Sequence, residues 1–468
     1  MGKRDESLLS ESGEGGQGGQ AEVALHIAPS VLKTASPEVP SSKYYTLRYL
    51  LAATLAVGES RIVLPARSDD SEALFRGCRA LGAQLTWEDE TERVLIVQGA
   101  GRIDGSAYTL QGTGPVTIDV GNAGAVLRLL LGVGTLLSEA TFVTDHPQSL
   151  GKRPNRELLE ALNALGAQCE GCGPEGYLPV HMHGGTLQGG TVQISGARSS
   201  QYLSSLLFLG PFLPAGLNID VIDGLKSQPL VRATLEVLHE AGIVVTYDET
   251  LLHFSIAPGQ HYQPREYSVP GDYPSAAALL AAYASSYSSE SVLLLARLRQ
   301  GDEVGEALKG ALNALGANLH VAGDTIMVRG GQRLHGMRCD GDAIIDCIPV
   351  LVACACFAEG ETVFYNIESL HYKECDRIDD LCAELRKAGC DVEPQRDAII
   401  VHGRPEGVEG GVTVDGHRDH RVLMALAIVA LRSRRGLTLT GVEHIAKSYP
   451  YFFTELHRWG AEIQPVLD

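Results

Sequence analysis

Apolar residues recur at helical spacing in six separated runs along the chain. Each run ends on a small glycine-centred stop that leads into a strand-like segment. The stops are Leu81-Gly82-Ala83, Leu165-Gly166-Ala167, Ala241-Gly242-Ile243, Leu315-Gly316-Ala317, Ala388-Gly389-Cys390 and Trp459-Gly460-Ala461. Their glycines fall 84, 76, 74, 73 and 71 residues apart, and that regularity marks an internal repeat. Glycine suits a helix stop because it takes the left-handed conformation without a Cβ penalty. A polar loop, an apolar-periodic helix and a strand, repeated six times, predict an α/β protein.

Two Pro-bearing segments interrupt the series, Ser36 to Pro40 and Gln263 to Gly271, with three repeats between them and three after. They predict two similar lobes, the first inserted into the second. One lobe is expected to comprise residues 22–40 and 270–468, with a strand starting near Glu22. The inserted lobe runs over 41–269 and opens on a helix through Leu50, Leu51 and Leu55. Residues 1–21 are polar and Gly-rich and read as a disordered tail. Ligand sites favour clefts between lobes.

Chemistry gathers at the helix starts. Upstream of the stops lie Asp70, Arg153, Ser227, Asp302, Lys373 with Arg377, and Lys447, while Lys43 and Arg48 mark a further cationic start. The densest stretch is His371 to Asp380. It reads as the start of a helix, with Asp376, Asp379 and Asp380 in its first turns and Ile378, Leu381 and Leu385 at helical spacing. Lys373, Glu374 and Arg377 would then sit where helix amides favour anions. A solvated salt-bridge cluster would look the same locally. The recurrence of such starts in six repeats favours an anion site.

Composition narrows the partner. The chain has 468 residues, too many for one ordinary core, and a formal net charge of −19, which argues against nucleic acid. The apolar run around Leu127 to Leu137 carries Arg128 and glycines, so no membrane span is expected. No secretory leader pattern stands at the start, and ten cysteines read as reduced thiols, both of which predict a cytoplasmic protein. Cys169-Glu-Gly-Cys172 has no second pair at zinc spacing, and His181-Met-His183 no third ligand, so no metal is expected. Gly121-Asn122-Ala123-Gly124 opens a helix with GxxG spacing, which suits close approach to an anion or tight packing better than a dinucleotide fold. Ser199-Ser200-Gln201 fits a phosphate or a helix cap. Asp419-His420-Arg421 reads as a cap with a salt bridge. Asp346 stands beside an apolar run, as a base or as a buried, satisfied acid.

Taken in order, these motifs resemble the 5-enolpyruvylshikimate-3-phosphate synthase family of enolpyruvyl transferases. The resemblance rests on Lys43 to Arg48, Arg67 to Asp70, Gly121 to Gly124 with Arg128, Gly151 to Pro154, Ser199 to Gln201, Lys226 to Pro229, Gly271-Asp272, Asp346, Lys373-Glu374 with Asp376-Arg377, Asp419 to Arg421, and Ala446-Lys447. It implies a two-lobed α-β prism of six βαβ-rich repeats, three per lobe, and no metal or organic cofactor. The implied reaction moves the carboxyvinyl group of phosphoenolpyruvate to the 5-hydroxyl of shikimate 3-phosphate and releases phosphate. The resemblance assigns phosphoenolpyruvate to Lys43, Gly124, Arg153, Gln201, Arg377, Arg421 and Lys447. It assigns shikimate 3-phosphate to Lys43, Tyr44, Arg48, Ser199, Ser200, Gln201, Ser227, Asp346, Ser369 and Lys373. Asp346 is the implied base, and Glu374 and Lys43 are the groups that could protonate the methylene carbon. A monomer is expected.

Four positions depart from the family pattern. Tyr44 stands where a Ser is usual, Leu230 where some members have Tyr, Ser369 where some have Asn, and Ala125 where many have Thr. Three of these fall on the acceptor half of the site, so an enolpyruvyl transferase with another acceptor stays open, as does a non-catalytic anion-binding paralogue. The UDP-N-acetylglucosamine enolpyruvyl transferases typically carry a Cys just before the Arg-Pro that matches Arg153-Pro154. Asp145 to Lys152 contains none.

Overall fold

The computed structural model describes residues 23–105, 107–112, 114–183 and 185–466. The expected tail at 1–21 and the strand start at Glu22 lie outside them. The chain divides into two compact units, one formed by Ser41–Pro270 and the other by Gly271–Asp468 with the chain up to Pro40.

The inserted unit carries α1 (Lys43–Leu55), α2 (Asp69–Ala80), α3 (Gly124–Gly134), α4 (Arg156–Ala164), α5 (Ser200–Leu209) and α6 (Gln228–Glu240). Two helix types alternate. α1, α3 and α5 are buried along almost their whole length, as α3 (GAVLRLLLGVG) shows: only Ala125 is not buried. α2, α4 and α6 are amphipathic; in α2, Leu74, Phe75 and Cys78 face inward while Asp69, Glu72, Arg76 and Arg79 are exposed. Three four-stranded sheets and a two-stranded one, Gly101–Asp104 with Ala107–Leu110, complete the unit. In the second four-stranded sheet, Val116–Asp119 runs parallel to Glu139–Val143, which pairs antiparallel with Tyr177–His183, itself antiparallel to Gln168–Cys172. Each repeat is thus strand, buried helix, strand, amphipathic helix and hairpin.

The discontinuous unit repeats the plan with α7 (Tyr273–Ala284), α8 (Glu303–Ala314), α9 (Ile348–Ala355), α10 (Asp379–Lys387), α11 (His420–Arg432) and α12 (Phe452–Arg458). α7, α9 and α11 pack on one another. All eight residues of α9 are buried, at about 1.5–3 kcal/mol for each large apolar side chain. Its first sheet has three named strands, with Ala35 bridging Leu293 where a fourth would run. Its last sheet is closed by the beginning of the chain: Ala24–Ile27 lies between Leu437–Thr440 and Ile463–Val466, antiparallel to both.

The six glycine stops all fold as expected. Gly82, Gly166, Gly242, Gly316, Gly389 and Gly460 have φ of +102°, +102°, +85°, +86°, +95° and +106°, each just beyond an amphipathic helix. All ten cysteines are free thiols. Among the described residues no helix is long and apolar enough to cross a membrane.

One local expectation holds only at its end, where Asp379 and Asp380 form the first turn of α10. The stretch from His371 does not open a helix. Glu368–Tyr372 is a short 3-10 turn, the backbone is irregular through Arg377, and α10 begins only at Asp379. The cause is Asp376, whose Oδ1 accepts from Ile378 N (3.1 Å) and Asp379 N (3.0 Å) and so starts the helix there.

Candidate active site

In the discontinuous unit, four cations and four carboxylates converge from separate elements. Arg377 is the hub, 1% exposed. Its Nε and Nη2 donate to the two oxygens of Asp419 (2.7 and 3.2 Å), Nη1 donates to Asp346 Oδ1 (2.9 Å), and Nη2 also donates to Glu374 Oε2 (2.8 Å). Burial works against that charge, but Asp419, Glu374 and Asp346 outweigh it and hold the guanidinium well above its ordinary pKa. Lys447 Nζ lies 2.7 Å from Glu374 Oε1, and Lys373 Nζ 3.5 Å from Asp346 Oδ1. Burial, with the charge of Asp419 beside it, pushes the Cys375 thiol well up, so it serves as a donor to Asp419 Oδ2 (3.7 Å) rather than as a nucleophile.

Arg421 differs from Arg377. It is 2% exposed at the start of α11, and Asp272 Oδ2 lies 3.9 Å from its Nη2, beyond hydrogen-bond range. Its Nε and Nη1 are buried and make no hydrogen bond. Leaving a buried donor unsatisfied costs about 1–3 kcal/mol. Two such donors left on one guanidinium call for oxygen acceptors, which a carboxylate or a phosphate supplies. Ser369, half-buried, lies on the 3-10 turn before Lys373.

The inserted unit holds a second set. Lys43, the first residue of α1, pairs with the buried Asp70 at 2.9 Å. Arg48 is buried one turn further on; its Nε donates to Thr234 Oγ1 (2.8 Å), Nη1 to the Tyr44 carbonyl (3.0 Å) and Nη2 to the Leu230 carbonyl (3.1 Å). Burial pulls its pKa down to about 10, so it stays cationic at neutral pH without a carboxylate among those partners. Gln201 accepts through Oε1 from Arg128 Nη1 (2.7 Å), which leaves its NH2 as the donor end. Burial lowers the pKa of Arg128 also.

The amides here begin helices. Ser199 caps α5 by accepting from Gln201 N, and Ser200 is buried in the first turn. Ser227 precedes α6 in a left-handed conformation (φ +53°) with no side-chain cap, and Ala123 leaves the first amides of α3 uncapped. Gly124, first in α3, touches the buried Arg153: a Cβ built on it would lie 2.7 Å from Arg153 Nη1. Gly124→Ala should therefore push that guanidinium aside and raise the KM of an anionic substrate about tenfold or more with little change in fold stability. Kinetics together with a thermal melt check this, and an unchanged KM would separate Arg153 from the substrate.

Each expected residue thus has a place. Asp346, Lys373, Glu374, Arg377, Arg421 and Lys447 come together in one unit; Lys43, Tyr44, Arg48, Gly124, Arg153, Ser199, Ser200, Gln201 and Ser227 lie in the other. The sequence left the partners unassigned. Asp419, Asp70 and Arg128 stand inside the motifs, yet nothing local shows that Asp419 takes both arms of Arg377, that Asp70 takes Lys43, or that Arg128 orients Gln201.

Known proteins resemble this chain over most of its length. The profile of EPSP synthase (3-phosphoshikimate 1-carboxyvinyltransferase) matches residues 32–456. The chain is 45% identical over 428 residues to 3-phosphoshikimate 1-carboxyvinyltransferase of Deinococcus radiodurans, spanning 90% of this chain and 92% of that one. To the enzyme of the same name from Burkholderia pseudomallei it is 34% identical over 430 residues, 92% and 93% of the two chains. Among solved structures, EPSP synthase from Acinetobacter baumannii superimposes with a TM-score of 0.76 at 24% identity over 96% of this chain and all of that one, a likeness of fold.

Proposed function

The chain belongs to the EPSP synthase family, and from that premise we propose how its residues divide the work. The reaction transfers the enolpyruvyl group of phosphoenolpyruvate to the 5-hydroxyl of shikimate 3-phosphate, giving 5-enolpyruvylshikimate 3-phosphate and phosphate. It belongs to the shikimate pathway toward chorismate and the aromatic amino acids.

In our reading phosphoenolpyruvate is held by Lys43, Gly124, Arg153, Gln201, Arg377, Arg421 and Lys447. The observation that carries this is the buried Arg421 guanidinium, whose Nε and Nη1 make no hydrogen bond within the protein. A substrate with a carboxylate and a phosphate satisfies such donors, and few neutral ligands would. Shikimate 3-phosphate is assigned to Lys43, Tyr44, Arg48, Ser199, Ser200, Gln201, Ser227, Asp346, Ser369 and Lys373, with the serines and helix amides on its phosphate and Arg48 on its carboxylate. Asp346 takes the proton of the 5-hydroxyl, and Glu374 or Lys43 gives one to the methylene carbon of phosphoenolpyruvate, which makes C2 electrophilic. The new C–O bond forms at C2; the C2–O bond to phosphate then breaks and a proton leaves the methyl group, which restores the vinyl double bond.

Mixing the protein with phosphoenolpyruvate and shikimate 3-phosphate should release phosphate and form the enolpyruvyl ether. No release at saturation would overturn the reading. We further infer a cytoplasmic monomer that needs no cofactor, which the free thiols support and sedimentation velocity checks.

Tyr44 is the departure from the family pattern that stands nearest the acceptor residues Lys43 and Arg48. Its side chain is half-buried beside Lys43, and its carbonyl already serves Arg48. If its hydroxyl bonds the acceptor carboxylate, Tyr44→Phe should raise the shikimate 3-phosphate KM about 10- to 100-fold, the worth of a hydrogen bond to a charged group at about 1.5–3 kcal/mol. The KM of phosphoenolpyruvate should hardly move. Equal KM values for Phe and Tyr would leave the carboxylate to Arg48.

A further inference from the structure

The irregular loop that presents Lys373 and Glu374 is closed at its base by one side-chain pair. His371 Nδ1 meets Asp376 Oδ2 at 2.7 Å. The other ring nitrogen, Nε2, meets the Arg396 carbonyl oxygen at 3.0 Å, in the turn between strands Asp391–Gln395 and Ala398–His402. Asp376 in turn starts α10 through its Oδ1, and its own N–H donates to Asp380 Oδ2 (3.0 Å). Across the neck, Arg377 N donates to the Leu370 carbonyl at 3.2 Å.

Both atoms that face the imidazole are acceptors. A neutral imidazole has one N–H and satisfies one of them; the imidazolium satisfies both. We propose that His371 is a positioning residue for the reaction: as an imidazolium it ties Asp376 and the Arg396 turn together as a clasp at the base of the loop that holds Lys373 and Glu374, and loss of its proton leaves one of the two acceptors unbonded and so opens that tie. This rests on the roles given above to Lys373 and Glu374.

The surroundings agree with a charged ring. Burial lowers its pKa, but the bond to Asp376, that carboxylate's charge, the Arg396 carbonyl and Asp379 outweigh burial and leave it above the usual histidine value. The Tyr372 ring stands edge-on at 6.5 Å. The guanidinium of Arg396 is directed to Glu368 at 3.0 Å, and Asp397 Oδ1 takes the Glu368 N–H at 2.6 Å. Because the folded pKa is raised, the clasp is complete below the ordinary histidine pKa of about 6.5 and is lost as pH rises through the folded value. Activity should carry an alkaline limb from this group.

The test compares His371→Gln and His371→Arg with the full-length wild type. Arginine supplies a permanent charge with donors for both acceptors, whereas a glutamine amide supplies neither the charge nor that geometry. The measurements are kcat and KM for phosphoenolpyruvate from about pH 6 to 10, thermal melts, and amide hydrogen exchange of residues 371–377. The Gln variant should lose about 10- to 100-fold in kcat/KM at neutral pH, the usual cost of about 1 Å of misplacement, with faster exchange in that loop. The Arg variant should recover most of the activity and keep it at pH values where the wild type falls. Wild-type kinetics and exchange in the Gln variant would overturn the clasp, as would an alkaline limb unmoved in the Arg variant. If the Gln variant does not fold, the Arg variant decides alone. A wild type that releases no phosphate at any pH refutes the reaction, and loop exchange then still judges the clasp.

Discussion

Asp346→Asn should lower kcat by about two to four orders of magnitude while moving either KM by less than about tenfold. The residue is the last but one of the 3-10 segment Asp342–Cys347, which runs straight into the wholly buried α9. Its backbone is therefore held in place by that helix. Its Oδ1 takes Arg377 Nη1 at 2.9 Å and lies 3.5 Å from Lys373 Nζ. Asparagine has the same size and keeps an oxygen for Arg377, which also retains Asp419 and Glu374. The substitution thus removes proton acceptance and leaves most of the shape. Steady-state kinetics with both substrates varied is the measurement. A kcat near the wild-type value would take Asp346 out of the role of base.

The second large effect is on stability. Asp419→Ala should destabilise the discontinuous unit by about 3–5 kcal/mol, the usual cost of breaking a buried ion pair from one side. Asp419 is 0% and Arg377 1% exposed, and two short bonds join them. The lost cap of α11, where Asp419 Oδ1 accepts from Arg421 N at 2.8 Å, falls within that figure. Activity should go with it, since Arg421 stands two residues on and its amide is held by the same carboxylate. Two compact units need not unfold together, so denaturation should be followed by more than one probe. The expected result is an early transition for the unit that contains α11 and an unchanged one for Ser41–Pro270. A loss under about 1 kcal/mol would mean that Arg377 is satisfied without Asp419.

How much could be read beforehand differs by residue. The glycine stops were legible because a left-handed helix end has one favoured residue, and all six proved to be helix ends. The outer helices were legible by period for the same local reason. The buried helices were harder: α7 and α9 are apolar all round, so no face betrays what they touch. Short parallel edge strands such as Arg338–Asp340 have three residues and no pattern to read. The acids at 379 and 380 do stand in the first turn of α10, but the one at 376 does not, and the helix starts later than the stretch from His371 suggested. Only the coordinates show Asp376 folded back onto the amides of 378 and 379, with Lys373 and Glu374 left in a loop. Cations were legible as residue types, but the pairing of Arg377 with Asp419, 42 residues away, was not.

The strand Ala24–Ile27 also sets an order of events during synthesis. Its neighbours, Leu437–Thr440 and Ile463–Val466, are made last, at about 5–20 residues per second and hence several tens of seconds after it. Every residue in the apolar core of the inserted unit lies between 45 and 269, so that unit can be complete while the ribosome is still at work on the rest. Leu25 and Ile27, fully buried in the finished protein, must meanwhile stay in water or on a chaperone. A stalled chain that ends before Leu437 should accordingly show a protease-resistant fragment from about residue 41 to 270 and a readily cleaved N-terminal segment.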